Sequence, residues 1–340
     1  MARTSTMSKS DSRQGLMSRR SRPHARTVWV LALGLVASAC GRPASVNDVA
    51  SAEPESAAAT DAGYTRPEML VDTVWLAGHL DDPTIRIVDT RRAGYDESHI
   101  PGAVYLDIAT SRDAENPPTF LPSAEAFTEE LEAIGIGNDT RVIFYDDRGG
   151  VYGTRPWLVL RTLGHTEVAI LDGGWDAWTR EDLPTTAEST EVTRTEFEPK
   201  PDMAWIVTAE EVRDAIDRPG TRFVDTRTVD ELAGRDLRGA TRGGIIPSAT
   251  AIYWEETFDP ELKTFRSASE LRALFAALDP GDEIIAYCEG GGRSAHELFA
   301  MHLVGYDRVR LYLGSWDEWG NRDDLPVATW EGTVAANRNP

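Results

Sequence analysis

The chain has 340 residues, with 35 lysines and arginines against 56 aspartates and glutamates, and its formal net charge at pH 7 is −21. This acidity argues against a nucleic-acid partner, because phosphate binding needs a basic face. The chain has only two cysteines, which excludes a disulfide framework and a cysteine-rich zinc site. The length indicates two domains or one large one, and a hydrophobic content of 41% is enough to form packed cores.

Residues 1–40 differ from the rest of the chain. They contain seven basic residues and one acidic residue, and their apolar run, 27–37, is too short to cross a bilayer as a helix. Small residues and then Cys40 follow this run, a pattern that predicts a cleavable secretory signal. A cysteine directly after the small residues resembles a bacterial lipobox, which implies that Cys40 is lipidated. The alternative is cleavage by an ordinary signal peptidase, which leaves Cys40 unmodified.

The segment after the signal, 41–65, is rich in Ala, Ser, Glu and Pro, and we expect it to be a flexible tether. The chain without residues 1–40 keeps 28 basic and 55 acidic residues, a net charge of −27. Such a charge favours solubility and opposes binding to an anionic membrane surface. We therefore expect an exported, monomeric protein of the periplasm or cell envelope that meets the membrane only through a lipid anchor.

Four sequence blocks occur twice and in the same order, which indicates a tandem duplication. The paired blocks begin at Ile85 and Thr221, at Ile100 and Ile246, at Val142 and Ile284, and at Gly174 and Ser315. We therefore expect one domain over residues 66–185, a linker over 186–203, a second domain over 204–328 and a tail over 329–340.

Each copy alternates short apolar runs with helical patterns. Runs such as 142–145 and 284–287 are typical of buried parallel strands. Ser123 and Ser267 each precede a helical pattern with a Glu a few residues later, which indicates an N-cap. The alternation predicts an α/β fold with a doubly wound parallel sheet in each domain, flanked by helices. Ligands of such sheets bind at the carboxyl ends of the strands, so the loop after 284–287 is the first candidate site.

Cys288 begins this loop, which continues with Glu289, Gly290, Gly291, Gly292, Arg293 and Ser294 and leads into a helical pattern. Consecutive glycines allow the backbone amides to turn inward, Ser294 is a candidate N-cap, and the helix N-terminus and Arg293 add positive charge. These surroundings lower the pKa of a thiol and bind an oxyanion. The loop therefore indicates a nucleophilic cysteine that faces an anionic substrate. The alternative is a buried structural cysteine at a strand end.

These motifs resemble the tandem-domain rhodanese family, the thiosulfate and 3-mercaptopyruvate sulfurtransferases. The resemblance rests on the two Asp-x-Arg blocks, the Ile-Pro-Gly-Ala block, the cysteine loop and the tryptophan block near the end of each domain, and it covers residues 66–328. It implies that the Cys288 thiolate takes a sulfane sulfur from a small anionic donor and passes it to a thiophilic acceptor such as cyanide or a thiol. It implies no metal and no organic cofactor. It also implies that the first copy is inactive, because Asp146 stands where Cys288 stands in the second copy.

The resemblance further implies substrate contacts for Arg227, of the second Asp-x-Arg block, and for the loop residues 289–294. A salt bridge at the strand end is the alternative for Arg227. Glu289 matches neither donor type of the family, because a carboxylate beside the thiol opposes both a low thiol pKa and a thiosulfate dianion. The pattern Cys-x-x-Gly-x-Arg-Ser resembles the bacterial thiosulfate branch, and 3-mercaptopyruvate is the alternative donor.

Two other functions stay open. Cysteine phosphatases and arsenate reductases are disfavoured, since phosphatases use Cys-x5-Arg whereas Cys288 and Arg293 form Cys-x4-Arg. A persulfide carrier or sulfur-binding lipoprotein without efficient turnover is the second hypothesis, and Glu289 is the reason for it.

Three arginines, Arg235, Arg238 and Arg242, cluster before the second Ile-Pro block. We expect them to form an anion funnel with Arg227 and Arg293, and solvated loop charges are the alternative. For His296 we expect a helix-surface position. The paired tryptophans of the repeat are predicted to lie in the core, with Trp316 also at the rim of the pocket.

Overall fold

The computed structural model describes residues 63–332. The predicted signal with Cys40, most of the predicted tether and the end of the predicted tail lie outside the described residues. Among residues 63–332, none of the helices is both long and apolar enough to cross a membrane.

The first domain contains one parallel sheet of five strands in the order β1-β5-β4-β2-β3. The strands are β1 (Leu70–Val71), β2 (Ile85–Asp89), β3 (Val104–Tyr105), β4 (Arg141–Tyr145) and β5 (Val168–Leu171). The helices are α1 (Thr73–Ala77), α2 (Ala124–Ala133), α3 (Thr154–Thr162) and α4 (Gly174–Arg180), with 3-10 turns at Pro67–Met69 and Ile108–Ser111.

The second domain repeats this arrangement with a parallel sheet in the order β6-β10-β9-β7-β8. Its strands are β6 (Ile206–Val207), β7 (Thr221–Asp225), β8 (Thr250–Ala251), β9 (Glu283–Tyr287) and β10 (Val309–Tyr312). Its helices are α5 (Ala209–Ala215), α6 (Val229–Leu232), α7 (Ala268–Leu274), α8 (Gly292–Leu303) and α9 (Ser315–Trp319), with 3-10 turns at Met203–Trp205 and Trp254–Thr257. The predicted α/β fold with two tandem sheets is confirmed.

The strand order places the predicted cysteine loop at the point where the order of strands in the second sheet reverses. The chain crosses from β8 over β7 to β9, so the carboxyl ends of β7 and β9 flank the topological switch point. Ligands of open parallel sheets bind at this place. The residues directly after β9 begin with Cys288.

The predicted N-caps of α2 and α7 are present. Ser123 Oγ accepts a hydrogen bond from the Ala126 amide at 3.1 Å. Ser267 and Glu270 form a reciprocal capping box at the start of α7, which satisfies amides that the first helical turn leaves without partners. Helix α7 ends at Leu274.

The two domains share one hydrophobic core, so they pack as a single unit. This core contains Phe144 and Trp157 of the first domain and Leu298 and Phe299 of the second. Trp157 meets Phe299 edge to face, with ring centroids 5.0 Å apart, a favourable arrangement for aromatic pairs. Helices α3 and α8 therefore lie against each other, and the loops at their N-termini face the same cleft.

The repeated tryptophans are largely core residues, as predicted. Trp178 and Trp319 are fully buried, and their indole N–H groups donate to the carbonyls of Pro184 and Pro326 at 2.8 Å. Trp316 is also buried, and its indole donates to the Arg242 carbonyl at 2.9 Å. The prediction that Trp316 lies at the pocket rim is wrong, because this hydrogen bond holds the ring beneath the surface.

Candidate active site

Cys288 is the first residue after β9, and it is almost completely buried. Its amide donates to Ser315 Oγ at 3.2 Å, and the Gly291 amide donates to Cys288 Sγ at 3.1 Å. Gly291 has a φ of +85° and is the N-cap of α8. A Cβ at this position would collide with the Leu313 side chain. Glycine is therefore required both by the backbone conformation and by the close packing beside the thiol.

The surroundings of the thiol favour its ionised form. Burial by itself raises the pKa of Cys288, but the positive charge of Arg293, together with Ser294 and the Gly290 amide, outweighs burial and lowers the pKa. A thiolate is the nucleophilic form of cysteine. The predicted nucleophilic character of Cys288 thus has a physical basis in the loop.

The helix after the loop begins earlier than predicted. The expectation that Ser294 is the N-cap of α8 is wrong, because Gly291 takes that place and Ser294 lies, fully buried, in the first turn. The left-handed conformation of Gly291 permits this tight connection from β9 to α8.

Arg293 does not present a free positive charge. Its guanidinium donates to both carboxylate oxygens of Glu231, at 2.7 and 2.8 Å. Burial raises the pKa of Glu231, but Arg293 and Thr228 outweigh this effect and hold it at about 2. Glu231 is therefore ionised near neutral pH, and it compensates the charge of Arg293. Sequence reasoning missed this partner because it lies 62 residues away.

Glu289 lines the pocket beside the thiol and is partly buried. Neither of its carboxylate oxygens has a hydrogen-bond partner among the described residues. Burial raises the pKa of Glu289 to about 7, although Arg227 opposes the rise. A substantial fraction of this carboxyl group is therefore neutral at pH 7, so it opposes the thiolate less than an ordinary glutamate would.

Arg227 lies beneath the pocket. Its guanidinium donates to both carboxylate oxygens of Asp225 and, at 2.7 Å, to the Gly244 carbonyl, and its central carbon lies 4.2 Å from the centre of the Trp316 ring. Only 2% of Arg227 is exposed, and it is not among the residues that line the pocket. These contacts are those of the alternative interpretation, a salt bridge at the strand end. A substrate contact for Arg227 stays a prediction, and the observed contacts do not favour it.

The same arrangement occurs in the first domain, which has no cysteine. Arg91 pairs with Asp89 at 2.7 Å and lies 4.0 Å from the centre of the Trp175 ring. An arrangement that is also present in the copy without a cysteine does not depend on chemistry at Cys288. The Asp-x-Arg pair is therefore part of the fold.

A cavity of about 330 Å³ opens above Cys288 between the two domains. It is lined by Cys288, Glu289, Gly290, Gly292, Arg293, Arg238 and Trp254 of the second domain and by Arg92, Ile108, Arg148, Val151, Tyr152 and Arg155 of the first. Five of these residues are arginines and one is acidic, so the cavity is locally positive in an acidic protein. Small anions are the ligands that this lining favours.

The predicted funnel is only partly present. Of its three loop arginines, Arg238 lines the cavity. Arg242 instead donates to main-chain carbonyls, among them those of Trp319 at 2.7 Å and Leu325 at 3.0 Å. Arg235 is exposed and pairs with Asp230. The alternative interpretation, loop charges without a role in the pocket, describes Arg235.

The remaining positive charge comes from Arg92, Arg148 and Arg155, which sequence reasoning missed. Arg148 lies in the loop after β4, the counterpart of the cysteine loop, and this position was a signal that could have been used. Arg155 belongs to the first turn of α3 and had no such signal, because its approach to Cys288 depends on how the two domains pack.

His296 is completely buried, so the prediction of a helix-surface position is wrong. Its Nε2 lies 2.9 Å from Thr257 Oγ1, and its ring stacks on Phe265 with centroids 4.8 Å apart. Burial lowers the pKa of His296 to about 3, so the ring is neutral. The reason is that Trp254, Phe258 and Phe265, from the segment between β8 and α7, cover α8 at this position.

The counterpart loop of the first domain is closed on its own carboxylate. Asp146 follows β4 as Cys288 follows β9, and it is buried. Its carboxylate accepts four backbone hydrogen bonds, from Arg148, Gly150, Tyr152 and Gly153, at 2.7 to 3.0 Å.

Among the described residues, no group of three His, Cys, Asp or Glu side chains is placed to hold a metal ion.

The match of this chain to a known family model identifies the family to which it belongs. The model of the rhodanese-like domain matches this chain twice, over residues 72–181 and 208–322. The chain belongs to the rhodanese family. Its open loop with Cys288 lies in the second rhodanese-like domain, and its closed loop with Asp146 lies in the first.

Individual relatives are similar over most of their length. A thiosulfate sulfurtransferase of Corynebacterium glutamicum is 34% identical over 79% of this chain and 93% of that protein. The sulfur carrier protein TtuD of Thermus thermophilus is 35% identical over 79% of this chain and 99% of that protein. The crystal structure of SseA from Escherichia coli, a 3-mercaptopyruvate sulfotransferase, superposes with a TM-score of 0.66 at 30% identity and covers 73% of this chain and 98% of that one.

Proposed function

We propose that this rhodanese is a sulfurtransferase that moves the sulfane sulfur of thiosulfate to a thiophilic acceptor, cyanide or a thiol. The observation that carries the proposal is a buried thiol of lowered pKa at the base of a cavity lined by five arginines. 3-Mercaptopyruvate, also an anion, is the alternative donor. The active domain is the second, 204–328, and the domain at 66–185 has no sulfur-carrying residue at the equivalent position.

The reaction proceeds in two displacements. The Cys288 thiolate attacks the outer sulfur of thiosulfate, a bond forms between Sγ and that sulfur, and the S–S bond of the donor breaks as sulfite leaves with the electron pair. The acceptor then attacks the terminal sulfur of the Cys288 persulfide, and the electron pair of the broken S–S bond returns to Cys288 as thiolate. The Gly291 amide, which donates to Sγ, stabilises the negative sulfur at both stages.

The pairing of Arg293 argues against a phosphatase. Cysteine phosphatases hold a phosphate with the loop amides and with the guanidinium of the loop arginine. Here both outer nitrogens of Arg293 bind Glu231, so this guanidinium is not available for a bidentate phosphate contact.

The test is a steady-state assay of the full chain with thiosulfate and cyanide, compared with 3-mercaptopyruvate and a thiol. We expect turnover with thiosulfate and its complete loss in Cys288→Ser. Turnover that persists in Cys288→Ser would contradict the proposal.

A sulfur carrier is the second candidate function, because the relative from Thermus thermophilus is named a sulfur carrier protein and Glu289 lies beside the thiol. The same assay separates the two functions. Loading of one sulfur on Cys288 without turnover on either donor would favour the carrier.

We also propose that the protein is exported, as a monomer, and anchored to the cell envelope by a lipid on Cys40. The support is the basic, apolar and small-residue order of residues 1–40 and the position of Cys40 directly after the small residues. Metabolic labelling with a fatty acid should mark the wild-type protein and not Cys40→Ser, and the variant should leave the membrane fraction. An exported wild-type protein without label would instead indicate plain secretion.

A further inference from the structure

The positive charges around Cys288 differ in how far each is compensated. Arg293 is paired with Glu231 at 2.7 Å, and Arg227 is paired with Asp225 at 2.7 Å. A paired guanidinium contributes little net field at a distance, since its carboxylate cancels most of the charge. Arg293 still lowers the pKa of Cys288 at close range, but both of its outer nitrogens bind Glu231, and Arg227 is held by Asp225 and the Gly244 carbonyl, so neither arginine is free to bind an anionic donor.

The other arginines of the cavity are exposed, with one exception. Arg92, Arg148 and Arg238 are exposed to solvent, and Arg148 is also within 3.8 Å of Glu255. Water and salt screen exposed charges strongly. Arg155 is partly buried, lines the same cavity as Cys288, and forms no ion pair with a carboxylate of residues 63–332.

The position of Arg155 is set by the packing of α3 on α8. Its guanidinium donates to the carbonyl of Gly290 at 3.1 Å, and its outer nitrogen would lie 3.6 Å from a Cβ on Gly292. Its Nε is buried and has no hydrogen-bond partner among the described residues. Arg155 is thus a cation with unused donor capacity, held against the loop that carries the thiol.

We propose that Arg155, contributed by the first domain, is the partly buried cation of the site that no carboxylate of residues 63–332 compensates: it adds to the effect of Arg293 on the Cys288 thiolate and then binds the anionic group of the sulfur donor. This inference rests on the proposed sulfur transfer. A buried charge without a counter-ion is costly, and an anion arriving in the cavity removes this cost. Burial lowers the pKa of Arg155 to about 10, with the Cys288 thiolate acting in the opposite direction, so the guanidinium stays protonated at neutral pH.

The domain that lacks the cysteine thus has a chemical role, because it contributes Arg155 to the active site of the other domain. This domain cannot carry sulfur, but it completes the charge balance of the other domain's active site. An isolated second domain would have the cysteine loop without its counter-ion.

The test measures the thiol itself, without donor or acceptor. The rate of Cys288 alkylation is followed against pH with neutral iodoacetamide and with anionic iodoacetate, for the full chain and for Arg155→Met. We expect Arg155→Met to raise the thiol pKa by about one unit, so that the thiolate fraction falls about tenfold at pH values below the thiol pKa of the wild type. We also expect a lower ratio of the iodoacetate rate to the iodoacetamide rate, because the variant no longer attracts an anion.

Arg161→Met is the matched control, since Arg161 lies in the last turn of the same helix and faces Trp157 and Trp205, at 5.9 and 5.1 Å from the ring centres. It should leave the thiol pKa and the reagent ratio unchanged. Arg155→Lys keeps the charge and loses the fork of the guanidinium. We therefore expect Arg155→Lys to have a thiol pKa close to that of the wild type and a higher KM for thiosulfate. This variant also replaces Arg155→Met in the test if the methionine variant does not fold.

The proposal would be overturned if Arg155→Met had the same thiol pKa and the same ratio of alkylation rates as the wild type. Arg155 would then only donate a hydrogen bond to the Gly290 carbonyl. An Arg155→Lys variant that raises the thiol pKa as much as removal of the charge would overturn it as well. Both of these results are measured by alkylation of Cys288 and do not depend on turnover. The failure of the sulfurtransferase assay and the failure of this proposal are therefore distinguishable.

Discussion

The loops after β4 and β9 occupy equivalent positions in two copies of one fold, and they differ in what fills them. The loop of the first domain runs from Asp146 to Gly153, and its amides point at the carboxylate of Asp146. The loop of the second domain runs only from Cys288 to Gly291, and it opens into a cavity. The first loop is therefore an anion-binding loop that contains its own anion.

This difference separates what belongs to the fold from what belongs to function. The ion pairs of Arg91 with Asp89 and of Arg227 with Asp225 are alike in both copies, as is the stacking of each arginine on a tryptophan. The occupant of the loop and the length of the loop are not alike. Functional residues of a duplicated fold are thus best sought where the copies differ.

The largest effect is expected from removing the internal anion of the first loop. Asp146→Ala leaves four amides without their acceptor, two of them in buried hydrogen bonds, which should lower the free energy of unfolding by about 3 kcal/mol or more. Urea denaturation measures this loss. Asp147→Ala, at the exposed neighbouring position, should change the free energy of unfolding by less than about 0.5 kcal/mol. Equal stability of the two variants would show that the loop does not depend on the carboxylate.

A smaller effect is expected at Ser315, where the first domain has Gly174. Both residues have a positive φ, 53° and 51°, but only Ser315 offers a hydroxyl to the Cys288 amide. Ser315→Ala keeps the strained backbone and removes this acceptor, so we expect a loss of about 2 kcal/mol in unfolding free energy.

Ser315→Gly removes the same acceptor but relieves the backbone strain, so its loss should be smaller. The comparison of the two variants by urea denaturation isolates the backbone contribution. Wild-type stability in Ser315→Ala would mean that the Cys288 amide needs no hydroxyl.

The smallest effect concerns Glu289, the one acidic residue of the cavity lining. Because the pKa of its carboxyl is raised to about 7, the group is largely neutral below that pH and negative above it. The KM for thiosulfate should therefore rise several-fold as the pH increases from about 6 to about 8, since the carboxylate then repels the dianion. Glu289→Gln should flatten this part of the pH profile. A profile that is the same in wild type and variant would contradict the assignment.

The fold could be predicted from the sequence, and a candidate nucleophile could be proposed from it, because both have local signatures. Buried parallel strands appear as short apolar runs, as at 284–287, and capping residues such as Ser267 mark helix starts. Cys288 was recognisable from the glycines and the arginine that follow it. These features depend on neighbours in the chain.

The charge balance of the site could not be predicted because it depends on contacts between distant segments. Arg293 is paired with Glu231 of α6, and Arg155 reaches Gly290 across the domain boundary, 135 residues away. The burial of His296 has a similar origin, since its ring is covered by Trp254, Phe258 and Phe265, which belong to another segment of the chain. Patterns within one segment carry no information about such contacts.

The most direct test of the account is to locate the transferred sulfur. The wild-type chain is incubated with thiosulfate, digested under conditions that preserve persulfides, and its peptides are weighed by mass spectrometry. We expect one additional sulfur atom, on the peptide that contains Cys288, and none in Cys288→Ser. A chain that gains no sulfur on Cys288, or a Cys288→Ser variant that still gains sulfur, would contradict this expectation.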